Sequence, residues 1–281
     1  MHSKNEDQID KNYFSSVSSN FFTVKNNYKQ RNFNVTSTDT KTLNEELEQL
    51  SYAKEQLDLK AIEKLLDSNT RILIEDVSIH PWADNPCSVG ALTATQLGIM
   101  ASENSSQQTS VFSSLILETE ILEKLVSFLK SDENDKREAA LLTLSFISTS
   151  PEVVDKLLDL STLDLFIGFL SSDKEGVRNT AGYCCRNLYA SRKNVQKMFI
   201  AKGGSAKLVK LLESSESSVV MESVLNLLDL LLDQDDCIQQ DVKKHLLNLG
   251  VYKSLESIIE KTEFYSEETV SEVSKLKELF I

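Results

Sequence analysis

Apolar side chains recur with the period of an α-helix through the middle of the chain. A helix over about residues 177–189 would place five of them on one face, at i, i+4, i+7, i+8 and i+11: Val177, Ala181, Cys184, Cys185 and Leu188. A second, more polar stripe is turned away from that face and holds Asn179, Tyr183, Arg186 and Asn187. The pattern therefore predicts an amphipathic helix with one buried stripe and one outward stripe.

Two shorter segments flank this helix and complete a unit of three. A helix ending near Leu170 precedes it, and the loop SSDKEG between them supplies N-cap candidates and a carboxylate before the first turn. A third segment follows and stops at Gly203-Gly204, because glycine tolerates the positive φ found at helix ends. Each helix has an apolar face that the unit cannot cover by itself.

The same pattern recurs along the chain. Apolar pairs follow one another at intervals of 41, 42 and 47 residues: Phe128-Leu129, Phe169-Leu170, Leu211-Leu212 and Ile258-Ile259. The segment CSVGALTATQLGIMASEN adds an earlier unit, and SEETVSEVSKLKELFI gives a closing helix capped by Ser266 with Glu268. A longer connection after Leu232 would account for the 47-residue interval. Helical repeats of about 40 residues are typical of armadillo and HEAT proteins, in which each repeat covers the core of the next.

We therefore expect an all-α fold, namely an armadillo- or HEAT-like helical repeat solenoid of about four repeats with N- and C-terminal capping helices. Only 8 Gly and 3 Pro among 281 residues leave long stretches that can be helical. The repeat domain should span residues 42–281 and begin with a helix capped by Thr42 or Asn44. From about residue 43 onward, the chain should be helical with no strand.

Residues 1–41 differ in composition from the rest. They hold six Lys or Arg against four Asp or Glu, a balance of +2, so the remainder contributes −15 to the net charge of −13. The segment is rich in Asn and Ser and shows no sustained apolar period, which predicts a disordered polar tail. Six aromatic residues leave two interpretations open, a mobile extension or a short binding segment: Tyr13, Phe14, Phe21, Phe22, Tyr28 and Phe33.

The acidic balance, with a pI near 4.8, argues against a surface for nucleic acid or an anionic membrane. It fits either plain solubility or a surface for a basic partner. The first 20 residues lack the apolar core of a signal peptide, and no segment has about 18 uncharged apolar residues, so we expect a cytoplasmic protein. The 4 Cys have no paired spacing, which favours buried reduced thiols over disulfides or metal ligands.

Motifs that carry catalytic chemistry are absent from the sequence. It has no P-loop, GxGxxG, HExxH, CxxC or GxSxG pattern, and its 3 His form no constellation with Cys or carboxylates. Carboxylate pairs such as Glu45-Glu46 are typical of solvated faces. We therefore expect no enzyme, no catalytic residues, no metal site, no cofactor and no direct nucleotide binding. A monomer that binds partners in the groove lined by the last helix of each repeat is expected instead.

From about Glu45 to the C-terminus, the chain resembles the armadillo-type nucleotide exchange factors of DnaK-class 70-kDa heat-shock chaperones, in the order of five segments: ATQLGIMASENSSQQ, LEKLVSFLKSD, VRNTAGYCCRNL, FIAKGGSAKLVKLL and FYSEETVSEVSKLKELF. Val220 departs from the pattern, because it stands where the repeat arginine would be. The resemblance implies that a concave face clasps the ATPase domain of a 70-kDa chaperone and displaces one lobe, so that ADP leaves. No covalent step is implied.

The candidate contact residues lie on the outward stripe of each groove helix, at or beside positions equivalent to Tyr183 and Asn187. The repeat intervals extend the stripe to a set of seven partner-binding candidates: Gln96, Met100, Phe146, Tyr183, Arg186, Asn187 and Asp229. For Phe146, and for Leu142 and Leu225 at the Tyr183 position, packing against the next repeat is the alternative. Exposure of Tyr183 and Asn187 would make their replacement by alanine nearly neutral for stability.

A second class of function is an armadillo-repeat adaptor or scaffold that binds peptides or partner proteins in the same groove. An adaptor of the nuclear-import type would have a regular ladder of Trp and Asn. The single Trp, Trp82, falls in a predicted loop. An exchange factor therefore remains the first expectation, and an adaptor or scaffold the second.

Overall fold

The computed structural model describes residues 40–72, 87–103, 109–232 and 236–281. Residues 1–39 of the predicted polar tail (1–41) and the connection with Trp82 lie outside the described residues, whereas Thr40 and Lys41 of that tail are helical. The described part of the chain forms fifteen α-helices, which make five triplets in chain order. This confirms the all-α armadillo-like fold class. The helices interpreted as terminal caps complete the first and fifth triplets.

The helices belong to two compact units, and the division falls within the sixth helix. The first unit contains four helices and most of a fifth: α1 (Thr40–Gln56), α2 (Leu59–Leu65), α3 (Val89–Glu103), α5 (Ile121–Leu129) and α6 (Asn134–Ile147) as far as Thr143. The second unit contains the end of α6 and ten more helices: α4 (Thr109–Leu117), α7 (Pro151–Asp159), α8 (Thr162–Phe169), α9 (Glu175–Ser191), α10 (Lys193–Ala201), α11 (Gly204–Leu211), α12 (Ser217–Leu232), α13 (Asp236–Asn248), α14 (Val251–Glu260) and α15 (Glu267–Glu278).

A short β-bridge in the first unit makes the prediction of no strand wrong. Strand β1 (Arg71–Ile72) pairs antiparallel with β2 (Cys87–Ser88). Asp135, in the first turn of α6, holds the bridge in place, because its Oδ2 accepts from the Ser88 N–H at 2.7 Å and from Arg71 Nη1 at 2.9 Å. A buried carboxylate with two donors is a strong local anchor. The bridge therefore depends on a partner 47 residues away in sequence.

A serine closes the turn that follows the second helix in each of the first four triplets. Its Oγ accepts the backbone N–H of the residue two positions later, at 3.1–3.2 Å. The four serines are Ser68, Ser131, Ser172 and Ser214. The loop SSDKEG was expected to cap α9. Instead its N-cap residue is Lys174, whose ammonium group has no acceptor and so makes no capping bond, while Ser172 closes the preceding turn.

The repeat arginine satisfies the carbonyl of that serine in two triplets. Arg137 Nη1 donates to Ser131 O at 2.7 Å, and Arg178 Nη1 donates to Ser172 O at 2.9 Å. Both side chains reach back from the first turn of a third helix to the turn before it. The arginine therefore pairs a carbonyl that the helices leave unsatisfied.

The other two turns have different donors for the same carbonyl. In the fourth triplet, where Val220 replaces the arginine, the Tyr265 hydroxyl of the fifth triplet donates to Ser214 O at 3.0 Å. In the first triplet, the backbone N–H of Gly90 donates to Ser68 O at 3.1 Å. The loss of the arginine is thus compensated in each case.

A residue with positive φ separates the first and second helices in four triplets: Leu57 (54°), Ser161 (60°), Gly203 (80°) and Gly250 (84°). The predicted helix stop at Gly203 is confirmed. Its neighbour Gly204 is needed for a different reason, because a Cβ there would lie 2.4 Å from the Phe199 ring. The glycine pair therefore supplies one backbone conformation and one close contact.

Helix length accounts for part of the 47-residue interval. Helix α13 has 13 residues, whereas α7 and α10, the equivalent helices, have 9 each. Part of the added length therefore lies inside the helix, and the longer connection predicted after Leu232 falls at residues 233–235, outside the described residues. Helix α1 likewise begins at Thr40, so the predicted caps Thr42 and Asn44 lie inside it.

Two glycines with open space around them should respond to alanine in opposite directions. Gly168 lies in α8, and an added Cβ would meet nothing within 4 Å, so Gly168→Ala should raise the free energy of unfolding by about 0.5–1 kcal/mol. Gly203 is equally unobstructed but has φ of +80°, so Gly203→Ala should lower it by about 1 kcal/mol. Chemical denaturation of both variants beside the wild type measures the two shifts. Shifts of the same sign would contradict the conclusion that Gly203 is required for its positive φ and Gly168 is not required by its conformation.

Candidate protein-binding surface on the third helices

The seven predicted contact residues all lie on the third helices, as expected, but they are less exposed than expected. The solvent-exposed fractions of Gln96, Met100 and Tyr183 are 2%, 5% and 7%, and the other four residues are half-buried. Gln96 and Met100 belong to the first unit, and the other five belong to the second. The outward stripe is therefore partly a packing surface, and the expectation that it is exposed was wrong.

In the first unit, Gln96 is engaged by its own triplet. Helix α1 packs against α3, and Lys54 Nζ on α1 donates to Gln96 Oε1. This contact closes the position to a partner, because the amide oxygen is used and the side chain is buried. Sequence periodicity within α3 contains no information about a lysine 42 residues earlier.

In the second unit, Asn187 joins α9 to the end of α6. Its Nδ2 donates to Ser145 O and to Ser148 Oγ, both at 3.0 Å. Both amide hydrogens are therefore used within the fold. Asn187 is half-buried, and its side chain holds the two helices together.

Arg186 lies near the Tyr183 ring and near two carboxylates of α12. The Arg186 guanidinium carbon lies 5.1 Å from the centre of the Tyr183 ring. Arg186 Nε lies 3.6 Å from Glu222 Oε1 and 4.0 Å from Asp229 Oδ2. The Glu222 and Arg186 side chains are 8% and 13% exposed, whereas the Asp229 side chain is 42% exposed. The cluster therefore opens to solvent at Asp229.

A buried hydrogen-bond chain fixes the base of this cluster. Asn226 Nδ2 donates to Glu222 Oε1 at 2.9 Å, and Asn226 Oδ1 accepts from the Tyr189 hydroxyl. Burial raises the pKa of Tyr189, and so does the charge of Asp229, which keeps the hydroxyl a neutral donor. Gly182 makes room for the glutamate, since a Cβ there would lie 2.9 Å from Glu222 Cγ.

Glu222 and Asn226 are not among the contact residues predicted from sequence. A signal was available, because two polar residues four positions apart interrupt the apolar run VVMESVLNLLDLLL of α12. Polar residues at that spacing share a helix face, and in a buried helix they need partners. Their partners on α9 come from another triplet, so the pairing itself could not be predicted from α12.

The described cysteines are unsuited to nucleophilic chemistry. Cys184 and Cys185 are fully buried, and burial raises both thiol pKa values well above the ordinary range. Burial, with the charge of Asp135, raises the pKa of Cys87 to about 12. All three are free buried thiols, as predicted. Within the described ranges, no group of three or more His, Cys, Asp or Glu could hold a metal ion, and none of the helices there is long and apolar enough to cross a bilayer.

No protein-family model matches the chain. A curated relative, the U-box domain-containing protein 43 of Arabidopsis thaliana, is 31% identical over 139 residues, which is 48% of this chain and 17% of that protein. The chain thus spans about a sixth of the length of that relative.

Solved structures show the fold. The armadillo repeats only protein of Plasmodium falciparum has a TM-score of 0.68 at 24% identity, over 88% of this chain and 99% of that one. A designed armadillo repeat protein in complex with the peptide (KR)4 has a TM-score of 0.63 at 21% identity, over 83% and 86% of the two chains. The chain therefore has the all-α armadillo repeat solenoid fold.

Replacing Asn187 should cost stability, in contrast to the expectation from sequence. Asn187→Ala leaves Ser145 O and Ser148 Oγ without their donor and should lower the free energy of unfolding by about 1–2 kcal/mol. The control is Asn194→Ala, an exposed asparagine on α10, which should shift it by no more than about 0.5 kcal/mol. Thermal melts followed by circular dichroism compare the two. Equal melting temperatures would show that the Asn187 contacts do not stabilise the fold.

Proposed function

We propose that the chain is a protein-binding scaffold that performs no covalent step, and that α9 and α12 of the second unit bind an extended, positively charged segment of a partner protein. The armadillo repeat fold supports the general class, since such proteins bind peptides and proteins along their repeats. The polar cluster of Tyr183, Arg186, Glu222 and Asp229 supports the location. It is the observation on which the proposal rests.

The charge of the third helices in the second unit favours a cationic ligand. Helices α9, α12 and α15 together have seven Asp or Glu against four Lys or Arg. Asp229 is the carboxylate of the cluster that is open to solvent. A complementary positive segment would be steered to this surface, whereas an anionic segment would be repelled by it.

Apolar side chains next to Asp229 add contact area. Met221 and Leu225 are half-buried on the same face of α12, and Leu232 at its end is 60% exposed. An aliphatic patch beside a carboxylate suits lysine and arginine, because their methylene stems cover apolar surface while the charged group remains in water. The surface thus offers both components that an extended basic segment requires.

The peptide (KR)4 is a suitable probe for binding, because the structure of the similar designed armadillo repeat protein was determined in complex with it. We expect fluorescein-labelled (KR)4 to bind the full chain and (KE)4, of the same length and no net charge, to bind much more weakly. The affinity should fall as salt is raised. Fluorescence anisotropy measures both titrations. Equal binding of the two peptides, or no binding of either, would contradict the proposal.

A single carboxylate tests the location. Asp229→Asn should weaken (KR)4 binding by about threefold, which corresponds to roughly 0.7 kcal/mol for a solvent-exposed charge pair. Asp241→Asn makes the same change of charge at an exposed position on α13, a first helix, and should have little effect. If the two variants weaken binding equally, general charge rather than the α9–α12 surface determines affinity.

The finer function, nucleotide exchange on a 70-kDa heat-shock chaperone, is a second proposal supported by the sequence resemblance from about Glu45 onward. The same third helices would then bind the ATPase domain. Linkage requires that this binding weaken the affinity of the chaperone for ADP by the same factor by which ADP weakens the affinity of the chaperone for this protein. Stopped-flow release of a fluorescent ADP analogue from cytosolic 70-kDa chaperones tests it. We expect acceleration by the wild type and less by Asp229→Asn. If the wild type accelerates release from none of these chaperones, the exchange proposal is wrong and the scaffold proposal is the one that remains.

A further inference from the structure

The side chain of Arg186 occupies the position that a ligand cation would take on this surface. Its guanidinium lies over the Tyr183 ring of its own helix, α9, and beside the carboxylates of Glu222 and Asp229, which both belong to α12. An aromatic face with two carboxylates is a suitable cage for a guanidinium or an ammonium group. We infer that Arg186 is an internal occupant of a cation-binding cage, and that an arginine or lysine of a partner segment enters this cage by displacing it. The inference rests on the proposed function, whose regulation it describes.

The distances within the cage are consistent with exchange. Arg186 lies 3.6 and 4.0 Å from its two carboxylates. By comparison, Arg192 holds Asp155 with two charge-assisted bonds, of 2.8 and 2.7 Å. Bidentate pairs of this second kind are the strong ones. Arg186 therefore holds Glu222 and Asp229 at longer distances than Arg192 holds Asp155.

The cage also has an opening and a fixed base. The Asp229 side chain is 42% exposed, so the cage is open to solvent on the side of that carboxylate. At the base, Asn226 holds Glu222 through a 2.9 Å bond, so the carboxylate keeps its position when the cation changes. A cage with one solvent-exposed carboxylate at its mouth and one fixed carboxylate inside can exchange its cation without unfolding.

Competition by Arg186 lowers the affinity for an external cation. Only the fraction of molecules with Arg186 displaced is competent to bind, and the apparent dissociation constant rises as that fraction falls. Removing the internal occupant should therefore strengthen binding of a basic peptide, although the variant gains one negative charge that acts in the same direction. A control with the same change of charge is needed.

The first measurement uses a small guest cation and no peptide. The variant Arg186→Ala should be less stable than the wild type, and 10 mM N-ethylguanidinium should raise its melting temperature by at least about 2 °C more than 10 mM sodium does. The control Arg192→Ala removes the same charge from the Asp155 pair, over which the described residues place no aromatic ring, and should show no such difference. If Arg186→Ala does not fold, Arg186→Gln, which keeps most of the volume, takes its place in both measurements.

The second measurement is the anisotropy titration with labelled (KR)4. Arg186→Ala should bind about tenfold more tightly than the wild type, and Arg192→Ala no more than about twofold more tightly. Equal gains for both variants, or no gain for Arg186→Ala, would overturn the inference even if the wild type binds (KR)4. Absence of the N-ethylguanidinium effect would overturn it as well. If that effect is present while no form of the protein binds (KR)4, the cage stands and the proposed function fails.

Discussion

The packing of α9 on α12 is the contact on which the second unit depends. A helix triplet cannot cover its own apolar faces, so each third helix needs the next one, and here the fit is specific. Gly182 admits the side chain of Glu222, whose carboxylate is then held by Asn226, which also accepts the Tyr189 hydroxyl. A buried polar network of this kind is worth its desolvation only when every member is satisfied. The geometry of the surface above it follows from that requirement.

Much of the fold could be predicted because it depends on spacing within single helices. The apolar period over residues 177–189, the intervals between repeats and the glycine at 203 are local signals, and they correspond to observed elements. Ser161 and Leu57 adopt positive φ without being glycine, so the same turn was invisible in those triplets. The β-bridge was missed for a related reason, since Asp135 stabilises it from a distant part of the chain.

The candidate site was predictable only in part. Periodicity placed Tyr183, Arg186 and Asn187 correctly on one stripe of α9, but a period describes a helix in isolation. Whether a stripe faces solvent is decided by the neighbouring helices, and in this protein Ser145, Ser148 and the carboxylates of α12 cover it. The residues that would contact a partner are therefore also residues that hold triplets together, and binding and stability are expected to be coupled in this unit.

The serine turns have a consequence for how such a chain diverges in sequence. The backbone carbonyl at each turn always needs a hydrogen-bond donor, but the donor differs. It is an arginine of the following helix at Ser131 and Ser172, a tyrosine hydroxyl of a later triplet at Ser214, and a backbone N–H at Ser68. Because any donor that reaches the carbonyl can form this hydrogen bond, the arginine can be lost from one repeat once another group donates to the carbonyl. A search pattern that requires the arginine would recognise the second and third triplets and pass over the first and fourth. Repeats of one architecture can thus drift apart in sequence until only the carbonyl, which every residue has, remains in common.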